Sequence, residues 1–501
     1  MSETQIINHW IDGDFQPSAS DRFGDVYNPA TGAVIAKLPM GGASDLETAV
    51  KSAKHAFRSW STTSITKRAQ LMFKFKELLE LHRDELADII SREHGKVILD
   101  AAGSLQRGIE VVEFACGIPH LLKGEFSEQV GTGVDCYSIR QPIGVCAGVT
   151  PFNFPAMVPM WMFPIAIVCG NCFILKPSEK DPSCSVKLAE LLSEAGFPDG
   201  VLNVVHGDKE MVDAILEHPD IATFSFVGST PVAEYVYSKA SSAGKRVQAL
   251  GGAKNHAVVM PDADLEQTAN AIIGAAYGSA GERCMAISAV IAVDTIAEPL
   301  KELLIRKIAA LKIGPGKDPS NDMGPLITKE HKNKVVDYIK SGESSGAELV
   351  IDGREHPISN EGAGFFLGPT LFDHVTADMS IYLEEIFGPV LVMLRAENLQ
   401  QALDLVNNHR FGNGVAVFTS SGGIAREFSN RVQIGMVGVN VAIPVPLSFY
   451  SFGGWKDSIY GPSNIYGMDG IRFFTRLKTV TTRWPDVDES SAVDLSMPTV
   501  K

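Results

Sequence analysis

Between residues 172 and 250 the chain alternates short apolar runs with longer amphipathic segments, and this alternation constrains the fold more than any other feature. Runs at 172–175, 201–205, 222–227 and 246–250 have strand length and composition. The intervening segments 184–194, 209–217 and 231–242 have helical spacing. Parallel neighbours need a crossover of about this length, so the pattern predicts a doubly wound parallel sheet in an α/β protein. Sheets of that class bind nucleotides at the carboxyl ends of their strands.

A second α/β region follows. Strands are expected at 258–260, 289–293, 348–351 and 370–372, and helices at 264–276, 298–311 and 329–341. Upstream, 7–40 reads as short strands, 66–93 as one long amphipathic helix ended by Gly95, and 97–114 as a helix carrying Arg107 among apolar and small neighbours. Residues 123–141 are polar, alternating and glycine-punctuated, which suggests a β-hairpin excursion. A loop is expected at 449–466, a strand with one polar face at 472–484, and a frayed acidic tail from Pro485 onward.

Bulk properties narrow the class. A chain of 501 residues suggests two or three domains. Its formal charge of −15, from 44 basic and 59 acidic residues, disfavours nucleic acid or an anionic membrane as the main partner. Residues 1–14 lack the apolar core of a signal peptide, and the apolar stretch 156–169 is broken by Pro159 and Pro164 and too short to span a bilayer. A soluble cytoplasmic protein is expected. Seven cysteines, an odd number, do not read as a disulfide framework. Cys169 and Cys172 form a CxxC between apolar flanks, with no second pair at zinc-site spacing, so they read as buried packing residues and no metal is expected.

Five stretches can carry chemistry. In 278–285, Gly-Ser-Ala-Gly-Glu-Arg-Cys-Met, small residues leave room at Cys284 and Arg283 supplies positive charge that favours a thiolate. In 150–155, Thr-Pro-Phe-Asn-Phe-Pro, two prolines fix the backbone around Asn153, whose amide can donate to an oxyanion. In 173–179, Phe-Ile-Leu-Lys-Pro-Ser-Glu, a strand runs into a turn where Lys176 can take ribose or phosphate and Glu179 can accept from a 2′-hydroxyl while repelling a 2′-phosphate. In 226–230, Phe-Val-Gly-Ser-Thr, the backbone at Gly228 and the Ser229 hydroxyl can meet a pyrophosphate at a helix N-terminus. In 382–389, Tyr-Leu-Glu-Glu-Ile-Phe-Gly-Pro, Glu384 and Glu385 precede a rigid turn, and one of them can hold a ribose.

Those five stretches, in that order, resemble the aldehyde dehydrogenase superfamily from about Trp10 to Trp484. The resemblance implies a Rossmann-type NAD-binding domain over 1–122 and 142–250, an α/β catalytic domain over 251–445, and a small β oligomerisation arm over 123–141 and 470–486, with 487–501 as a tail. It implies Cys284 as nucleophile and Asn153 with the Cys284 N–H as oxyanion hole. For NAD it implies Thr150, Phe152, Lys176, Glu179, Lys180, Gly228, Ser229, Gly251 and Glu385. A homodimer or homotetramer is implied as well.

One position departs from the hydrolytic majority. Those members carry a glutamate two residues before a Gly-Gly pair, as general base for water; here the segment reads Gln248-Ala249-Leu250-Gly251-Gly252 and Ala249 cannot take a proton. An incoming thiolate needs no such base, which points to coenzyme A as acyl acceptor. The blocks 252–264 and 278–288, with 451–458 and 474–480, look like the CoA-acylating methylmalonate-semialdehyde dehydrogenase branch. Its substrate carries a carboxylate, for which Arg283 and Arg107 are the candidate ligands. The expected reaction converts malonate or methylmalonate semialdehyde to acetyl-CoA or propionyl-CoA with loss of CO₂. Two alternatives stand beside it: a hydrolytic enzyme using Glu282 or Glu385 as base, and an inactive family member with a structural role.

Overall fold

The computed structural model describes residues 5–484, so the expected tail from Pro485 onward lies outside the described residues. The alternating segment forms the centre of an eight-stranded sheet. Its strands run in the order Ile459–Tyr460, Arg246–Leu250, Ile221–Val227, Val145–Val149, Cys172–Lys176, Leu202–Val204, His9–Ile11 and Asp14–Gln16. The five strands from Arg246–Leu250 to Leu202–Val204 are parallel. Strand order reverses beside Val145–Val149, because the chain adds Cys172–Lys176 on one side and Ile221–Val227 on the other. The crevice of such a sheet opens at that reversal, outside the carboxyl ends.

The second α/β region forms a seven-stranded sheet. The order is Glu348–Ile351, Thr370–Asp373, Val390–Ala396, Ile287–Val293, Asn255–Val259, Gly414–Phe418 and Met436–Val439, parallel except at Glu348–Ile351. The sheets enclose two hydrophobic cores, one mostly of residues before Gly251 and one of residues after Gly252.

A third, antiparallel sheet joins Phe126–Gly131 and Val134–Pro142, the expected hairpin, to Thr475–Arg483. That last strand starts later than expected, because Gly467–Phe473 is a helix. Phe126–Gly131 is an outer strand with mostly exposed side chains.

The long helix expected over 66–93 is two helices, Ile65–Leu81 and Arg83–His94. The chain breaks at His82 (φ −96°, ψ 19°), whose ring meets Glu85 at 2.7 Å across the first turn of the second helix. The break lets Phe75 and Leu79 pack on one side and Leu86 and Ile90 on another, all fully buried, at the expense of leaving Leu81 exposed. The apolar stretch around Pro159 and Pro164 is the helix Met157–Val168, buried on every side. Among the described residues no helix is long and apolar enough to cross a membrane. All seven cysteines are free, and burial holds Cys169 and Cys172 in the thiol form, consistent with packing rather than redox use.

Candidate active site

The carboxyl edge of the first sheet faces the amino edge of the second. Val149, Lys176, Val227 and Leu250 end four adjacent strands, so Thr150, Gly228 and Gly251 follow directly on that edge. From the other side, Cys284 lies just before Ile287–Val293, and Glu385 before Val390–Ala396.

The approach to Cys284 is a tight turn. Ser279 and Ala280 adopt left-handed conformations (φ 53° and 52°), uncommon for residues with a side chain. Gly281 follows at φ +76°, where a Cβ would run into the Gly388 carbonyl oxygen. Beyond the turn, the Cys284 carbonyl accepts from Asn255 Nδ2 at 2.9 Å and Asn413 Nδ2 at 3.1 Å. Asn255 opens Asn255–Val259 and Asn413 precedes Gly414–Phe418, so two neighbouring strands fix the backbone at Cys284.

Two cavities meet at Cys284. The first, about 240 Å³, is lined by Phe152, Asn153, Gly228, Ser229, Gly251, His331, Lys334 and Glu385 among others. The second, about 410 Å³, is lined by Asp100, Ser104, Arg107, Trp161, Arg283 and Phe452 among others. Asn153 belongs to the first wall and its neighbour Phe154 to the second.

Polar groups a dinucleotide needs line the first cavity at Ser229 and Glu385, and others stand at the ends of the strands Val145–Val149 and Cys172–Lys176. Lys176 is buried, and its ammonium meets Glu179 at 3.0 Å; Lys180 lies 3.9 Å from the same carboxylate and is more exposed. The Lys176 charge holds Glu179 below the usual carboxylate range despite its burial. Ser229 precedes the helix Thr230–Ser242 without capping it, which leaves its hydroxyl available for a phosphate, while Pro231 has no N–H and Val232 N–H is bonded to the Ser229 carbonyl. Thr150 Oγ1 is buried with no partner. At Gly251 a side chain would press on the Asp457 carbonyl, which keeps the backbone bare on the cavity wall. Glu385 accepts from the Ala253 N–H at 3.0 Å, and burial pushes its carboxyl up to about 7. Its neighbour Glu384 is exposed and accepts from the Tyr338 hydroxyl at 2.6 Å.

Asn153 is nearly fully buried, and its side-chain oxygen has no partner. No described residue engages its side chain, so the amide is free to serve a ligand in the cavity. Enclosure pushes the Cys284 thiol up to about 12, and the Glu385 charge adds to that. The N–H groups of Cys284 and Met285 and the charge of Lys96 act in the opposite direction.

Arg283, which the sequence marks as the cation beside the thiol, has partners of its own. Arg283 is committed to Asp100 Oδ1 at 2.7 Å and to the Gly274 carbonyl at 3.2 Å. Lys96, from the junction of two helices, is a second cation whose charge favours the Cys284 thiolate. Arg107 meets Glu110 at 2.5 Å and donates to the carbonyls of Val445 and Pro446 at 3.2 and 2.7 Å. Although residues 107 and 283 are far apart in sequence, both guanidiniums line the cavity that ends at the thiol. Among the alternative bases, Glu282 is fully buried, accepts from the Ile327 N–H at 3.1 Å and lines neither cavity. Ala249 is fully buried within its strand and brings no titratable group.

Sequence reasoning missed Asp100, Lys96, Asn255, Asn413, His331 and Lys334. Asp100 had a usable signal: with Ser104 and Arg107 it repeats at four and then three residues, one face of a helix.

The profile of the aldehyde dehydrogenase family matches residues 15–480. A malonate-semialdehyde dehydrogenase of Pseudomonas aeruginosa is 53% identical over 99% of both chains. One from Halalkalibacterium halodurans is 50% identical over 97% of this chain and 99% of its own. Among solved structures, one from Sinorhizobium meliloti, described as a methylmalonate-semialdehyde dehydrogenase and complexed with NAD, superposes with a TM-score of 0.96 at 54% identity, covering 97% of this chain and 100% of that one. A methylmalonate-semialdehyde dehydrogenase from Oceanimonas doudoroffii superposes at 0.95, also 54% identical, covering 96% and 99%.

Proposed function

The chain belongs to the aldehyde dehydrogenase family, and from that premise we propose that it oxidises malonate semialdehyde or its 2-methyl form with NAD, releases CO₂ and passes the acyl group to coenzyme A. The observation that carries this reading is the 410 Å³ cavity lined by both arginines and by Cys284. A small aldehyde with a carboxylate fits that arrangement: the carboxylate meets guanidinium while the carbonyl reaches the thiol.

Lys176, Glu179, Lys180, Thr150, Phe152, Gly228, Ser229, Gly251 and Glu385 are the residues that would hold NAD, and the buried unpartnered Thr150 hydroxyl and uncapped Ser229 fit that role. Bound there, NAD supplies a hydride acceptor. Cys284, as thiolate, adds to the aldehyde carbon. The oxyanion that forms takes hydrogen bonds from the Asn153 amide and the Cys284 N–H. Loss of hydride from that carbon leaves a thioester on Cys284. The substrate carboxylate, now β to a thioester carbonyl, departs as CO₂; its bonding pair enters the carbonyl as an enolate, which then takes a proton at carbon. The CoA thiolate displaces Cys284 and carries off acetyl or propionyl. Alanine at 249 and the placement of Glu282 on Ile327, outside both cavities, favour the thiol acceptor, with Glu385 given to the nicotinamide ribose.

The same reading takes 1–122 with 142–250 as the cofactor part, 251–445 as the catalytic part and 123–141 with 470–486 as an arm between subunits. Exposed Phe126, Leu477 and Trp484 on the three-stranded sheet support a homo-oligomer, a dimer or tetramer. Seven free thiols fit a cytoplasmic enzyme. Steady-state NADH formation from malonate semialdehyde tests the proposal: it should require CoA, and sustained turnover without CoA would overturn it.

A further inference from the structure

Lys96 lies beneath the wall between the two cavities. It sits between the helices Arg83–His94 and Ile98–Cys116, 1% exposed. Its ammonium donates to the Asn153 carbonyl at 2.6 Å and stands 4.3 Å above the Phe154 ring. Asn153 faces one cavity and Phe154 the other, so one buried cation grips both residues of the partition that meets Cys284.

Its position is held from behind. Gly95 takes φ +92°, and a side chain on Gly316 or Gly324 would run into the carbonyls of Lys96 or Gly95. The Lys96 carbonyl also accepts from Ser91 Oγ at 2.8 Å. Two close glycine approaches and a hydroxyl therefore fix the backbone from which this side chain extends.

A buried ammonium with one hydrogen bond to a neutral carbonyl is costly unless charge balances it. The Asp100 charge acts favourably on Lys96 and Arg283 opposes it, while burial pushes the nearby Asp181 and Glu282 carboxyls well up. Both Asp181 oxygens and Glu282 Oε2 are buried without hydrogen-bond partners. Desolvation lowers the ammonium to about 8, so it remains charged at neutral pH. Of the charged groups around Cys284, Glu385 disfavours the thiolate and Lys96 favours it.

We propose that Lys96 is a positioning residue for the reaction, fixing the backbone of the oxyanion-binding Asn153 and placing a positive charge beneath the wall that meets Cys284. This rests on Cys284 being the nucleophile, but not on the identity of the aldehyde or the acyl acceptor.

The test uses the full chain, following the pH dependence of Cys284 alkylation by iodoacetamide in the Cys284 peptide by mass spectrometry, alongside aldehyde oxidation. In Lys96→Met the alkylation midpoint should rise by about one pH unit, the size expected for loss of a nearby opposite charge. Its kcat should fall at least ~10-fold while the KM for NAD stays within about twofold, as for a loss confined to transition-state stabilisation. A folded variant with either an unchanged midpoint or a kcat within about twofold of the parent overturns the proposal. Should Lys96→Met not fold, Lys96→Arg and Lys96→Gln separate charge from donor: Arg should keep the parental midpoint and Gln should raise it, and equal midpoints in the two overturn the proposal. Failure of CoA dependence would leave the alkylation midpoint untouched, so the two readings fail separately.

Discussion

Arg283 Nη2 donates to Asp100 Oδ1 at 2.7 Å, and both side chains line the cavity that ends at Cys284. A guanidinium has five N–H donors, and Asp100 and the Gly274 carbonyl use two groups of it, so it is held in place with donors to spare. Arg283→Ala and Arg107→Ala should therefore lower kcat/KM for malonate semialdehyde by about 10- to 100-fold, the value of a charge-assisted hydrogen bond. Propanal, which has no carboxylate, should lose no more than a few-fold. Steady-state kinetics on both aldehydes checks this, and equal losses would dismiss the carboxylate role.

Glu385 gives a pH dependence. Its carboxyl is raised to about 7 in the fold, so the folded chain retains a proton that the unfolded chain has released. Stability should therefore fall as pH rises from the ordinary glutamate range through about 7. Glu385→Gln should melt higher than the parent at pH 8 and close to it at pH 4, by calorimetry. The same change should weaken NAD at pH 8, where the parent presents a carboxylate to the ribose hydroxyls. A variant no more heat-stable at pH 8 than the parent would contradict the assigned shift.

Asn153 is placed to act on the oxyanion rather than the thiol. Asn153→Ala should reduce kcat by about 10²- to 10³-fold, as removal of one oxyanion donor does. Alkylation of Cys284 by a neutral reagent should change little. A parallel collapse of both rates would mean that the partition had been displaced rather than a donor removed.

The Cys284 carbonyl depends on two amides. Asn255 also donates to the Ala286 carbonyl at 3.0 Å and accepts from the Gly414 N–H at 2.9 Å. Asn255→Ala strips three buried partners, and denaturant unfolding should show a loss of about 2–4 kcal/mol. Asn413→Ala, which leaves the Asn255 bonds in place, should cost less.

Legibility in the sequence followed the physics of each element. The strands and helices over 172–250 were readable because each strand is a short apolar run and each helix is amphipathic. Helix Ala43–Trp60 was not seen, although Leu46, Ala49, Val50, Ala53 and Trp60 recur at helical spacing on its buried face. Met157–Val168 is apolar all round and has no period to detect. The break at His82 has no glycine or proline to announce it. At the site, residues carried by motifs were visible one by one, but not their pairings. That Arg283 serves Asp100 while Lys96 grips Asn153 depends on packing between segments far apart in the chain. Asn255 and Asn413 were hidden for the same reason, as ordinary amides at strand ends.

The central claim is that the acyl group waits on Cys284 for a thiol. Intact-protein mass spectrometry after one turnover with malonate semialdehyde and NAD, before and after CoA is added, tests it most directly. An acetyl adduct confined to the Cys284 peptide, persisting without CoA and cleared as acetyl-CoA when CoA arrives, is the expected result. Unmodified protein with free acid accumulating in the absence of CoA would contradict it.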